Sequence, residues 1–191
     1  VFQGINTTWT RVKGGKAIKT ILDNVVATYD FTAPDKSIPQ LMKAYALVQK
    51  LEDTHWKNIK SKELETIITA VTGLYLEAKA DTNYATTGSS IKLDIEAINR
   101  SVQSVILKKA TVTAINNVVA SNKRYTTSTT LTVSNDFKDT SAYWLREEGT
   151  LGMYKVADQQ MIGKPETPQE NTVTFDLIIS GVPISITKPI V

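Results

Sequence analysis

Asp81-Thr82-Asn83-Tyr84-Ala85-Thr86-Thr87-Gly88-Ser89-Ser90-Ile91-Lys92-Leu93-Asp94-Ile95-Glu96-Ala97 is where the chain changes character. Its first half is a run of Thr, Ser, Asn and Gly, the composition of a connection. In its second half Ile91, Leu93, Ile95 and Ala97 alternate with Lys92, Asp94 and Glu96. That is the period of a half-buried strand. Before this stretch apolar residues recur with the helical period, and after it with the period of two. The spacing therefore predicts an α+β chain: an N-terminal three-helix segment over residues 1–85, then an antiparallel β-sandwich of immunoglobulin-like type over 86–191.

Working back towards the N-terminus, Ile18, Ile21, Leu22, Val25, Val26 and Tyr29 form the stripe of an amphipathic helix ending near Asp30. Val1 to Gly15 reads as a lead-in that leans on the helices. Ser37 three residues before Gln40, with Pro39 between, reads as a capping-box start for a second helix that buries Leu41, Ala44, Tyr45, Val48 and Leu51. Asp53 to Asn58 reads as a turn. A third helix is then expected from Ser61, carrying Leu64, Ile67, Ile68, Val71, Leu74, Tyr75 and Ala78 inward and tolerating Gly73 at about 1 kcal/mol against Ala.

Working forward, Asn99-Arg100-Ser101 turns the chain, Val102 to Val112 supplies one or two strands, and Thr129 to Ser134 another. Thr172 to Ser180 and Val182 to Thr187, joined at Gly181, read as a closing hairpin. Between them lies a long loop, 135–171. Its centre, Ser141 to Pro168, packs Tyr143, Trp144 and Tyr154 among charged pairs, glycines and prolines, as ordered functional loops often do.

The 191 residues carry 22 basic and 19 acidic side chains, a formal charge of +3. The signs are interspersed: 11 basic and 9 acidic up to Ala85, 11 and 10 beyond it. No basic stripe suggests a nucleic-acid partner. With no cysteine, disulfides, thiol catalysis and thiolate zinc sites are excluded. No apolar run approaches the roughly 20 residues of a membrane helix, so no membrane insertion is expected. The chain opens on Val1-Phe2-Gln3 without Met, as a piece of a longer polypeptide would.

His55, with Asp53 two positions before it, is the single candidate for a neutral-pH base; the alternative is a turn residue packing on Trp56. Glu63/Glu65 and Glu147/Glu148 are carboxylate pairs, but residues one or two apart do not face each other on a helix. Asn6-Thr7-Thr8 and Asn99-Arg100-Ser101 match the N-glycosylation pattern. No nucleophile elbow, phosphate-binding glycine loop or His-Glu-x-x-His occurs. No catalytic residue, metal or cofactor is expected. Tyr143, Trp144, Arg146 and Tyr154 remain as a candidate contact group, whose rings and guanidinium suit a sugar ring or a partner's loop. Alternatively, Trp144 plugs the gap between sandwich and helices.

Asn6-Thr7-Thr8-Trp9-Thr10-Arg11-Val12-Lys13-Gly14-Gly15, His55-Trp56-Lys57, Thr72-Gly73-Leu74-Tyr75-Leu76-Glu77-Ala78 and Glu96-Ala97-Ile98-Asn99-Arg100-Ser101 resemble the region downstream of the catalytic domain in long Bacteroidetes-type proteins of the LmbE/PIG-L deacetylase family. The similarity is closest in Tyr143-Trp144-Leu145, Gly149-Thr150-Leu151-Gly152-Met153-Tyr154 and Ile162-Gly163-Lys164-Pro165-Glu166-Thr167-Pro168. The resemblance implies that the parent protein removes N-acetyl groups from GlcNAc-type sugars with a metal held by a His-Pro-Asp-Asp motif and a later histidine. That motif is absent here, so none of its residues carries over. What the resemblance implies for this chain is a non-catalytic accessory role. Its expected partners are the catalytic and other β domains of the same polypeptide, with carbohydrate as a further ligand, and its expected location is extracytoplasmic, in the periplasm or at the cell surface. The alternative is a stand-alone carbohydrate-binding module.

Overall fold

The computed structural model describes residues 3–137 and 139–191. Val1 and Phe2 of the expected lead-in, and Lys138 of the expected long loop, lie outside the described residues. Three helices precede two antiparallel sheets. A single 3-10 turn, Trp9–Arg11, leads into α1 (Gly15–Ala27). Gly14 adopts the left-handed conformation at its start, and Gly15 lies so close to Trp9 that a Cβ there would sit 2.1 Å from the Trp9 carbonyl oxygen. The tandem glycines are thus the condition for the lead-in to fold back on the helix.

The 3-10 turn Pro34–Ser37 runs straight into α2 (Ile38–Val48). Ser37 is therefore already helical, and its hydroxyl donates to the Pro34 carbonyl at 2.6 Å. The expected capping box does not form. Gln40 instead accepts from Asn24 Nδ2 of α1 at 2.8 Å. Helix α2 is the centre of the helical layer: Ile38, Leu41, Met42, Ala44, Tyr45 and Val48 are all buried.

Helix α3 (Thr54–Thr72) starts a full two turns before the expected Ser61, because Asp53 Oδ1 accepts the Trp56 N–H at 3.1 Å and caps it. It also ends earlier than expected. Gly73 takes φ +56°, the Gly73 N–H bonds to the Ala70 carbonyl, and the Leu74 N–H bonds to the Thr69 carbonyl. This is a Schellman closure. Gly73 terminates the helix rather than sitting inside it, and the chain enters β1 (Tyr75–Ala80) directly. Leu74, Tyr75 and Ala78, expected on α3, belong to this helix-to-strand passage. The sheet thus begins ten residues before position 85, the expected end of the helical segment.

β1 pairs with β2 (Ser90–Ile98), and β2 with β5 (Arg124–Thr132), in a three-stranded sheet. β3 (Val105–Ala110), β4 (Thr113–Val118), β6 (Thr172–Ile179) and β7 (Val182–Pro189) form a four-stranded sheet in the order β4-β3-β6-β7. β5 is longer than the expected Thr129–Ser134 segment and takes up the Thr-rich tract. The β6–β7 hairpin forms on Ser180-Gly181, both at positive φ (47° and 82°), as a two-residue primed turn requires.

Leu93, Ile95 and Ala97 of β2 and Val173, Phe175, Leu177 and Ile179 of β6 are fully buried or nearly so. They belong to one contiguous hydrophobic cluster that also contains Ile18, Met42, Val48 and Ile68 of the helices. Helices and sheets therefore share one core. The junction is tied further by the Arg100 guanidinium donating to the Gly73 carbonyl (3.1 Å) and the Val102 N–H donating to Asp35 Oδ2 (3.2 Å). Among the described residues no helix is long and apolar enough to cross a membrane.

Candidate contact lobe between the last two sheet crossings

The segment between β5 and β6 is built differently from the rest. From Ser134 to Glu170 no described side chain is buried, although the stretch holds two tyrosines, a tryptophan, a phenylalanine and several aliphatics. Its order comes from its own polar contacts. At its neck, Thr167 Oγ1 accepts the Tyr143 N–H at 2.8 Å and donates to the Ser141 carbonyl at 3.4 Å. Arg146 bridges to Glu170 at 3.0 Å. Further out, Thr150 and Met153 exchange backbone hydrogen bonds of 3.0 and 3.2 Å around Leu151-Gly152. A Cβ on Gly149 would lie 2.7 Å from the Met153 carbonyl oxygen, so this small turn closes only over a glycine. Lys155 pairs with Glu147 at 3.0 Å and holds that carboxyl below its usual range.

This scaffold brings Tyr143, Trp144 and Tyr154 together. With Met153, Val156 and Ile162 they line an open concavity of about 560 Å³. Tyr143 and Trp144 meet edge to face, centroids 4.8 Å apart at 88°. The two rings therefore make a corner rather than a flat shelf, and a ligand can stack on one face while touching the edge of the other. Leu151 is fully exposed, and Met153 (71%), Tyr154 (69%) and Ile162 (63%) are largely so. Single exposed apolar residues are ordinary; here Met153, Tyr154 and Ile162 share one concavity.

Arg146, grouped with the rings on sequence grounds, stands apart from them. Its guanidinium is engaged by Glu170 and borders a smaller depression with Asp139, Ser141 and Leu145. Met153, Val156 and Ile162 carry no sequence signal of their own; only the fold of the Thr150–Met153 turn delivers them to the rings. Trp144 is absent from the half-buried side chains that pack against the core, a group that does include Trp9 and Trp56.

The remaining candidates are engaged elsewhere. His55 lies in the first turn of α3, exposed, edge-on to Trp56 at 5.2 Å, while Asp53 caps the helix. Trp56 is also flanked by the cations of Arg11 (5.1 Å) and Lys60 (5.8 Å). Glu63 pairs with Lys60 at 2.7 Å and Glu65 with Lys62 at 3.3 Å. Asn6 is exposed, whereas Asn99 is buried: Nδ2 donates to the Gln103 and Val119 carbonyls, and Oδ1 accepts from the Ser101 N–H and hydroxyl. The second glycosylation triplet is thus a structural knot. Among the described residues no three or more His, Cys, Asp or Glu gather into a metal-sized group.

No family model and no curated protein matches the chain. Among solved structures, the Pseudomonas fluorescens alkylpurine DNA glycosylase AlkC bound to DNA containing an abasic site analog aligns at a TM-score of 0.24 and 10% identity, over 87% of this chain and 49% of that one. The chain thus spans about half the length of that protein, and a likeness at this level carries no argument about fold or function.

Proposed function

We propose that this chain is a non-catalytic accessory region of a PIG-L-like sugar N-deacetylase, in which the helices and the two sheets form a rigid platform and the lobe from Tyr143 to Pro168 is the contact surface. The carrying observation is a coincidence of place. The stretch most similar to the LmbE/PIG-L proteins is the stretch that holds its aromatics out of the core. The surface is predominantly apolar, and its aliphatic members Leu151, Met153 and Ile162 suit a protein surface, which makes a neighbouring domain of the same polypeptide its first expected cover. The His-Pro-Asp-Asp motif is absent from the sequence, so the chemistry belongs to the catalytic domain. An extracytoplasmic location belongs to the same reading. The strand orders β1-β2-β5 and β4-β3-β6-β7, with all pairs antiparallel, support an immunoglobulin-like sandwich within this proposal.

The test compares acrylamide quenching of Trp144 in the isolated chain and in the longer polypeptide, with Trp144→Phe as the reference. Strong protection in the longer protein is expected. Equal quenching in both refutes the interdomain reading.

A second reading is supported by the corner of Tyr143 and Trp144 facing Tyr154: a carbohydrate-binding module that brings a deacetylase to its polymer. Calorimetric titration of the isolated chain with amino-sugar oligomers, alongside Trp144→Ala, tests it. Heat that disappears in the variant supports binding at the corner, and no heat from the parent chain refutes it.

A further inference from the structure

Two sheets present four free edges, and three of them are blocked. At β7, the two-residue turn makes Ile179–Val182 the first hydrogen-bonded pair, so alternation places Pro183 and Pro189, opposite Ile178 and Thr172, with their nitrogens towards solvent. At β1, the Ala80 N–H donates to the Val191 carbonyl (2.7 Å) and the Val191 N–H to the Ala78 carbonyl (3.0 Å), so the residues that follow β7 cover the edge. At β4, Asn116 is left-handed (φ 54°), and the register on β3 shifts between Leu107 and Lys109. Prolines, cover and bulges are the devices that stop strands from pairing further.

β5 has none of them. It runs nine residues without proline or positive φ. The Val133 N–H donates to the Ser89 carbonyl, which sets the alternation: the odd-numbered residues of β5 bond to β2, and Arg124, Thr126, Ser128, Thr130 and Thr132 turn their backbone groups outward. Among the described residues no backbone bond from these five reaches any element beyond β2. The end of β7 closes over β1, so β5 is the edge of the three-stranded sheet that lies away from it.

We propose that two copies of this chain pair edge to edge through β5, antiparallel about a two-fold axis at Ser128, joining their three-stranded sheets into one. The row is self-complementary. In that register Thr126 meets Thr130, Ser128 meets itself and Arg124 meets Thr132, so hydroxyl residues pair and no like charges face each other. Arg124 keeps its Glu96 partner within its own copy.

Sedimentation velocity over a concentration series tests this, with the parent chain expected to show a reversible monomer–dimer equilibrium. Thr126→Lys with Thr130→Lys in one chain, and Thr126→Glu with Thr130→Glu in another, each put like charges opposite across the axis. Each is expected to weaken the dimer at least about tenfold, while an equimolar mixture of the two restores it. These side chains are exposed, and circular dichroism verifies that the variants are folded. Ser128→Pro, which removes the N–H at the axis, should weaken it likewise. A parent chain that stays monomeric at every concentration, a dimer indifferent to both charged pairs, or a mixture that fails to associate overturns the proposal.

Discussion

Gly73→Ala is the most informative single change, because Gly73 both ends α3 and points the chain into β1. An alanine at φ +56° costs about 1–2 kcal/mol against glycine in the left-handed region. The unfolded chain loses freedom too, which returns about 0.4–1 kcal/mol. The new methyl would also lie 2.8 Å from Arg100 Cβ, with Cγ and Cδ at 3.6 Å, and relieving such an overlap adds roughly 1–3 kcal/mol. The net expectation is a loss of about 2–3 kcal/mol, or about 5–10 °C in Tm for a chain of this length. Urea unfolding followed by circular dichroism and by peptide-resolved hydrogen exchange measures it. Because helices and sheets share one cluster, protection of α2 and of β6 should fall together. Arg100→Gly in the same chain should recover the steric part, a coupling of about 1–3 kcal/mol, and leave the conformational part. A loss under about 0.5 kcal/mol, or separate transitions for α2 and β6, would refute the reasoning.

Asn99→Ala should cost about 2–4 kcal/mol by chemical denaturation, since it strips partners from the buried Val119 carbonyl, the part-buried Gln103 carbonyl and Ser101. By contrast, Trp144→Ala should change stability by less than about 1 kcal/mol in the same assay, because nothing described from Ser134 to Glu170 is buried. Tyr45 gives an alkaline signature: burial, with the Glu65 carboxylate beside it, pushes its phenol up to about 12. Its stabilising contribution is complete below pH 10, where the unfolded phenol is still protonated, and is lost as pH rises from 10 to 12. Allowing for partial solvent access, that loss is about 1–2 kcal/mol, and the difference between the parent and Tyr45→Phe across this range measures it against the other tyrosines. In a glycosylating host, Asn6 is the acceptor expected to be occupied and Asn99 the one expected to remain bare in intact-mass spectra, given their exposure.

Much of this architecture is legible in the order of residues alone. Helical spacing locates α1 and α2, alternation locates β2 and β6, and Ser180-Gly181 marks the last hairpin. Each signal is local: a stripe or alternation that must meet a core, or a turn that demands positive φ. What misleads is a stretch compatible with two periods. In Thr72-Gly73-Leu74-Tyr75-Leu76-Glu77-Ala78, the spacing Val71, Leu74, Tyr75, Ala78 continues a helix, while Leu74, Leu76, Ala78 and Ala80 alternate as a strand. The strand is realised because β2 offers a paired edge and Gly73 closes the helix. The start of α3 is obscured for a related reason, since Asp53 is a cap only if the seven residues before Ser61 are helical.

For the candidate site, the sequence by itself marked a contact group of three rings and a guanidinium, Tyr143, Trp144, Arg146 and Tyr154, in a chain without cysteine and with one histidine. Only the tertiary structure decided which of them act together. It set Met153, Val156 and Ile162 against the rings, drew Arg146 away to Glu170, and left β5 as the one edge without a block among the described residues. The physical reason is range. Periodicity and turn chemistry are properties of neighbours along the chain, whereas a shared cavity or a free edge depends on which distant segments occupy the space beside it.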